Sequence, residues 1–203
     1  MLGELDGVQL GPIFLSFSLL SLGLSILLAY WTVGYLVKKN YPDLSPKLLN
    51  TLQTSGLLFL ITFKILPFIF HPAYIFTPSK LLIYSGGPYA VQISTFVSLS
   101  YFSYSFYKEK WPIRFLDYLA ISAYIYLIVN SLLLKNYGVA TPYNFGFTID
   151  GTLYHPVNLY YLLFYSLLLQ TMITLFQKQR AGVLAIMLLL AYFFIQVMIS
   201  PFL

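Results

Sequence analysis

Lys64 is the residue whose position most demands a chemical explanation. It interrupts the apolar run Phe59-Leu60-Ile61-Thr62-Phe63-Lys64-Ile65-Leu66-Pro67, and an ionisable group at membrane depth normally faces a bundle interior or a polar cavity, where it can bind an anion. A second reading is also open: His71-Pro72 follows seven residues later, so the ammonium can snorkel to an interface along its own apolar stem. Pro67 is expected to break the helix there and free a carbonyl near the ammonium. His155 is the other candidate for charge or proton handling, in His155-Pro156-Val157-Asn158-Leu159-Tyr160-Tyr161. Three-residue spacing puts Asn158 and Tyr161 on one helical face, which Tyr165 continues. The pair Gly86-Gly87 allows backbone conformations that other residues avoid and a close approach of main-chain amides to a ligand; a plain turn explains it as well.

Other chemistries lack their residues. The chain of 203 residues has no cysteine and two histidines, which removes disulfides, thiolate metal sites and a thiol nucleophile of its own. No metal site is expected. There is no GxxxxGK[ST] loop, GxGxxG turn, HExxH pair or GxSxG elbow, so nucleotide hydrolysis, dinucleotide binding, zinc proteolysis of that kind and elbow-type serine hydrolysis have no signature. No cofactor is called for.

The elements that carry these residues are membrane spans. The chain is 59% hydrophobic and 8% charged, against about 25% charged in a soluble domain. Six stretches approach or exceed the roughly 20 apolar residues that cross a bilayer, at 10–37, 49–72, 88–107, 112–134, 157–177 and 181–202. They predict an all-α, polytopic bundle forming a single transmembrane domain over residues 1–203.

The net charge of +5 reflects span ends, not a nucleic-acid surface. Lys38, Lys39, Lys47, Lys108, Lys110, Arg114, Lys178 and Arg180 fall on alternate loops, against Lys80 and Lys135 on the others. The positive-inside rule puts the first set in the cytoplasm, and both termini and the loops 73–87 and 136–156 outside. Glu4 and Asp6 stand where a signal peptide would be basic, and no small-residue cleavage site follows, so a removable signal is not expected. Within 73–87, Tyr74 to Tyr84 reads as a short amphipathic or re-entrant piece. Ser94, Ser98, Ser100, Ser103 and Ser105 in the third span read first as helix-packing positions. Tyr30, Tyr35, Tyr107 and Tyr154 read as an interfacial aromatic belt.

In this order the features resemble the prolipoprotein diacylglyceryl transferase family along nearly the whole chain. Gly11-Pro12-Ile13 opens a first span ending in a basic pair, as in the family. Phe63-Lys64-Ile65 falls at its Arg-Ile-Gly-Tyr segment, and Ile83-Tyr84-Ser85-Gly86-Gly87 looks like its Trp-x-Gly-Gly. Phe115-Leu116-Asp117-Tyr118-Leu119-Ala120 is similar to (Ser/Leu)-Asp-(Phe/Leu)-(Ile/Leu)-Ala, and His155-Pro156-Val157-Asn158-Leu159-Tyr160 to His-Pro-(Ser/Thr)-Gln-Leu-Tyr. The resemblance implies a bacterial plasma-membrane protein that moves diacylglyceryl from phosphatidylglycerol to a lipoprotein cysteine. The nucleophile then belongs to the substrate, and the protein supplies hydrogen bonds, positive charge and help with the thiol proton.

The chain departs from the family where that charge sits. Val129-Asn130-Ser131-Leu132-Leu133-Leu134-Lys135 stands where Gly-Arg-x-Gly-Asn-Phe is expected. Tyr89-Ala90-Val91 replaces a histidine after the glycines, Phe17-Ser18 a Tyr-Gly pair, and Tyr192-Phe193-Phe194-Ile195-Gln196 a Tyr-Gly-x-x-Arg segment. A seventh span has no counterpart. Lost guanidiniums are not conservative changes at a dry phosphate site. The leading expectation is thus a divergent, pseudoenzyme-like member that binds phospholipid, a lipoprotein signal segment or a membrane partner. Its headgroup contacts would come from Lys64, Gly86, Gly87, Asn158 and Tyr160. A second expectation is an enzyme of altered lipid-transfer chemistry using Lys64 and His155, and a third is a small-solute transporter or a membrane subunit of one. Against the third, the halves show no alignable repeat.

Overall fold

The computed structural model describes residues 7–10, 13–72, 86–87, 89–143, 145–176 and 178–203. The stretch Tyr74 to Tyr84, including Lys80, and the Gly11-Pro12 pair lie outside the described residues. The protein is mostly helical and divides into two compact units, residues 1–39 with 112–203, and residues 40–111.

The first unit opens with an antiparallel hairpin, β1 (Gly7–Leu10) and β2 (Ile13–Ser16), pairing Gly7 with Ser16 and Leu10 with Ile13. This corrects the expected span from residue 10. A short apolar run reads equally as strand or helix, and helix α1 begins only at Phe17, ending at Asn40 with Lys38 and Lys39 in its last turn. Three further helices belong to this unit: α4 (Arg114–Leu133), α5 (Val157–Phe176) and α6 (Val183–Ile199), the last followed by a 3₁₀ turn, Ser200–Phe202.

Helices α4, α5 and α6 pack together around Tyr124, Val157, Tyr165, Leu169 and the α6 row Leu184, Leu188, Ala191, Ile195 and Ile199. That row recurs every three or four residues, one stripe of a helix. The opposite face of α6 exposes Ile186, Leu189, Leu190, Phe193, Phe194 and Val197. A helix apolar all round is a membrane span when it is not the core of a larger protein.

Residues 136–156, expected as a loop, form a three-stranded antiparallel sheet of order β3-β5-β4, with β3 at Tyr137–Ala140, β4 at Phe147–Ile149 and β5 at Thr152–Pro156. Asp150 (φ 48°) and Gly151 (φ 78°) make the two-residue turn between β4 and β5. Positive φ at both positions matches the right-handed twist of the strands, and Asp-Gly supplies it cheaply. A Cβ on Gly138 would collide with the Phe202 carbonyl oxygen, so only glycine lets β3 pass the 3₁₀ turn.

The second unit is the antiparallel pair α2 (Ser45–Phe70) and α3 (Ala90–Lys108). Pro46 sits at the start of α2, where its missing N–H costs nothing. The helices meet through small residues: Thr51, Ser55 and Ser94 are buried, and Ser98 Oγ donates to the Ser55 carbonyl at 2.8 Å. Ser94 and Ser98 thus serve close packing, while Ser100 and Ser103 are exposed. Among the described residues five of the six long helices, α1, α2, α4, α5 and α6 with its 3₁₀ extension to Phe202, are apolar and long enough to cross a membrane. The sixth, α3, carries Gln92, Thr95 and five serines and is the more polar one.

Candidate functional site

Lys64, Gly86 and Gly87 lie in the second unit. Helix α2 does not break at Pro67, as the sequence suggested, but continues to Phe70 with Pro67 inside it. Proline lacks the N–H that would bond to the carbonyl four residues earlier, which is that of Phe63. Gly86 N–H donates to that oxygen at 3.3 Å. The glycines have φ of 84° and 116°, and an added Cβ on Gly86 would lie 3.0 Å from Phe63 Cζ. The glycine pair is thereby fixed one residue from Lys64. Lys64 is partly exposed and six residues from the end of α2, about 9 Å at 1.5 Å per residue.

His155, Asn158 and Tyr160 lie in the first unit. His155, on β5, has its Nδ1 2.9 Å from the Tyr160 hydroxyl. Both rings lie against Phe202, with centroids 5.1 and 5.4 Å away. If the tyrosine donates, the imidazole proton sits on Nε2. Asn158 points elsewhere: it is 2% exposed and its Nδ2 donates to the Ser131 carbonyl at 3.2 Å.

Asn158 belongs to a polar cavity of about 240 Å³ among α4, α5 and α6, lined also by Asn130, Ser131, Asn136, Tyr161, Tyr165, Tyr192 and Gln196. Ser21 Oγ of α1 donates to Asn130 Oδ1 at 3.1 Å. Tyr161 donates its hydroxyl proton to Gln196 Oε1 and Gln196 Nε2 donates to the Tyr165 hydroxyl, each at 2.9 Å. Tyr165 stacks on Tyr161 (5.4 Å) and on Tyr192 (6.5 Å), and meets Tyr124 edge to face. The Tyr124 hydroxyl is held by the Leu188 carbonyl at 2.8 Å.

The wall is hydrogen-bonded, aromatic and uncharged among its described residues. It offers amide and phenol groups, which recognise carbonyls and hydroxyls, and no cation to neutralise a phosphate. Leu127 and Tyr192 line both this cavity and a separate apolar groove of about 520 Å³ along α4 and α6, lined also by Ala120, Ala123, Ala185, Ile186 and Leu189. From Asn158 to Tyr165 the polar wall descends two turns of α5, about 10 Å.

At the other end of this unit Asp117, 1% exposed, accepts from Gly182 N–H at 3.0 Å and Ala185 N–H at 2.9 Å. A carboxylate there satisfies amides and complements the dipole at the start of α6. Arg114 lies 3.8 Å from Asp117 and donates to the Gln179 carbonyl at 2.8 Å. This is a structural clamp. Among the described residues no group of three acidic or histidine side chains could hold a metal.

The sequence identified Asn158, Tyr161 and Tyr165 as one face but missed Gln196 as the partner of the two tyrosines and Asn130 as part of the same cavity wall. The available signal was a lone glutamine in Tyr192-Phe193-Phe194-Ile195-Gln196-Val197, a costly residue in a span unless it is bonded. No family model matches the chain, and no curated protein matches it.

Proposed function

We propose that the protein is a divergent relative of the prolipoprotein diacylglyceryl transferases in a bacterial plasma membrane, which binds a glycerolipid without transferring it. In this reading the ester and glycerol neck occupies the Asn130–Gln196 cavity, and an acyl chain lies in the adjoining groove. The carrying observation is that an uncharged hydrogen-bonding cavity and an apolar groove share the wall of Leu127 and Tyr192 inside one unit. Its dimensions and chemistry suit the boundary between a lipid's polar and apolar parts.

The sequence resemblance supports the same cavity. Asn130 comes from the segment set against Gly-Arg-x-Gly-Asn-Phe, Asn158 from the His-Pro segment, and Tyr192 and Gln196 from the segment set against Tyr-Gly-x-x-Arg. One stretch of likeness, His155 to Tyr160, and two stretches where the chain departs from the family's arginine motifs thus meet at this cavity, and neutral amides stand where guanidiniums would be expected. Neutral donors can hold an ester but lack the charge that stabilises a departing phosphate. Lys64 with Gly86 and Gly87, and Tyr160 with His155, stay candidates for headgroup contact in their own units.

A photoreactive phosphatidylglycerol with a diazirine on its acyl chain tests this reading. Adducts are expected on Ala123, Ile186 or Leu189, and loss of those adducts is expected in Gln196→Leu. Labelling spread evenly over the exposed faces of all helices would refute a defined site. The His155–Tyr160 pair favours one second reading, altered lipid-transfer chemistry. It requires that His155→Ala abolish turnover of a lipid substrate in folded protein.

A further inference from the structure

The second unit has a pocket of its own, about 300 Å³, between the start of α2 and the end of α3. Lys47 and Asn50 reach it from α2, and Tyr101, Tyr104 and Lys108 from α3. Its floor is fixed: Thr51 is 8% and Trp111 5% exposed, and Phe102 and Phe106 hold the indole edge to face with centroids 6.3 and 6.1 Å away. Lys108 Nζ lies 5.6 Å from the centre of the Tyr104 ring, which orients the ammonium without consuming its charge. Glu109 stands on the rim.

Topology alone needs lysines in the loops; it does not need two of them to converge from different helices over a concave aromatic and hydroxyl surface. We propose that this pocket binds the phosphodiester of an anionic phospholipid headgroup in the leaflet that meets the start of α2 and the end of α3. The charges on its wall, Lys47, Lys108 and Glu109, sum to +1. That balances a phosphodiester carrying one negative charge better than a phosphomonoester, which carries about −1.5 to −2 at neutral pH. The aromatic rim is typical of the headgroup level of a bilayer. This site is independent of the cavity in the other unit.

The test is native mass spectrometry of full-length protein released from nanodiscs of equal phosphatidylglycerol and phosphatidylcholine. Wild type is expected to retain phosphatidylglycerol preferentially. Lys47→Gln with Lys108→Gln, which removes both lysines of the pocket wall, should lower that preference about 10- to 30-fold, while Lys38→Gln with Lys39→Gln, an equal charge removal at lysines that do not line the pocket, should change it less than about twofold. Equal losses in the two double variants would mean general surface attraction and overturn the site, as would no loss in either. Glu109→Gln, measured in nanodiscs that also contain phosphatidic acid, supplies a gain of function that misfolding cannot imitate: retention of phosphatidic acid should rise, and an unchanged value counts against the charge balance. Glycerophosphoglycerol, the same headgroup without chains, separates the two sources of a phosphodiester. It should fail to displace the lipid at millimolar concentration, and displacement would overturn the lipid assignment.

Discussion

The Phe63 carbonyl and the Gly86 N–H, 3.3 Å apart, complete one hydrogen bond that Pro67 prevents the helix from making by itself. The link also explains why residue 86 is glycine, since its φ of 84° and the Phe63 ring at 3.0 Å disfavour any Cβ. Gly86→Ala should cost about 1–2 kcal/mol from the left-handed conformation alone, read as a lower unfolding midpoint in detergent. Pro67→Ala restores an intrahelical donor to Phe63. It should speed hydrogen exchange of the Gly86 amide about fivefold, the equivalent of one modest hydrogen bond, and unchanged exchange would show that the contact carries no weight.

Asp117 should matter to stability more than to ligand binding. Asp117→Ala leaves the Gly182 and Ala185 amides unsatisfied at the buried start of α6 and should cost about 1–3 kcal/mol. Asp117→Asn keeps one acceptor and should cost less. Arg114→Gln removes a partly exposed ion-pair partner at 3.8 Å and an exposed hydrogen bond to the Gln179 carbonyl, together a change of about 0–1 kcal/mol. Chemical unfolding of the three variants gives the order directly, and an Arg114 effect equal to that of Asp117→Ala would contradict the capping role.

The Tyr161–Gln196–Tyr165 chain should be sensitive at each link. Tyr161→Phe removes one donor and should weaken lipid retention by about threefold, consistent with roughly 0.6 kcal/mol for an interhelical hydrogen bond in membranes. Gln196→Arg should shift retained lipid toward anionic headgroups, because it adds the guanidinium that the cavity lacks. Lipid extraction with mass spectrometry reads both, and a ratio of anionic to neutral lipid unmoved by Gln196→Arg would argue against the cavity as the headgroup-proximal site.

Membrane orientation can be read without background labelling because the chain has no cysteine. Single cysteines at the exposed positions Asp43, Glu109 and Gln179 should react with an impermeant maleimide only after the cytoplasmic side is opened, and one at Asp150 should react from outside. Glu109 is the informative position, because α3 is the least apolar of the six long helices. Labelling of Glu109→Cys from outside would mean that α3 does not cross.

Much of the helical plan was readable because its causes are local. Lys38-Lys39, Ser45-Pro46, Lys108 and Lys178 with Arg180 end or open apolar runs, and the observed helices stop or start within a few residues of them. Short strands were missed for the opposite reason. Leu10, Ile13, Phe14 and Leu15 are as suitable for a span as for a hairpin, and the Asp150-Gly151 turn, a readable hairpin signal, was passed over within a presumed loop. The cavity was half legible: Asn158, Tyr161 and Tyr165 share a helical face by spacing, but Gln196 reaches Tyr161 across 35 residues, a distance no periodicity reports. Pro67 reads as a helix breaker by local rules, which do not include the Gly86 donor that compensates it.

The most direct test of lipid binding without transfer uses purified protein in nanodiscs with labelled phosphatidylglycerol and a cysteine-bearing lipoprotein signal peptide, followed by mass spectrometry of both. The expected result is labelled lipid retained by wild type, reduced in Gln196→Leu, and a peptide thiol that stays unmodified. Diacylglyceryl on the thiol would contradict the loss of transfer, and retention identical in wild type and Gln196→Leu would contradict the cavity.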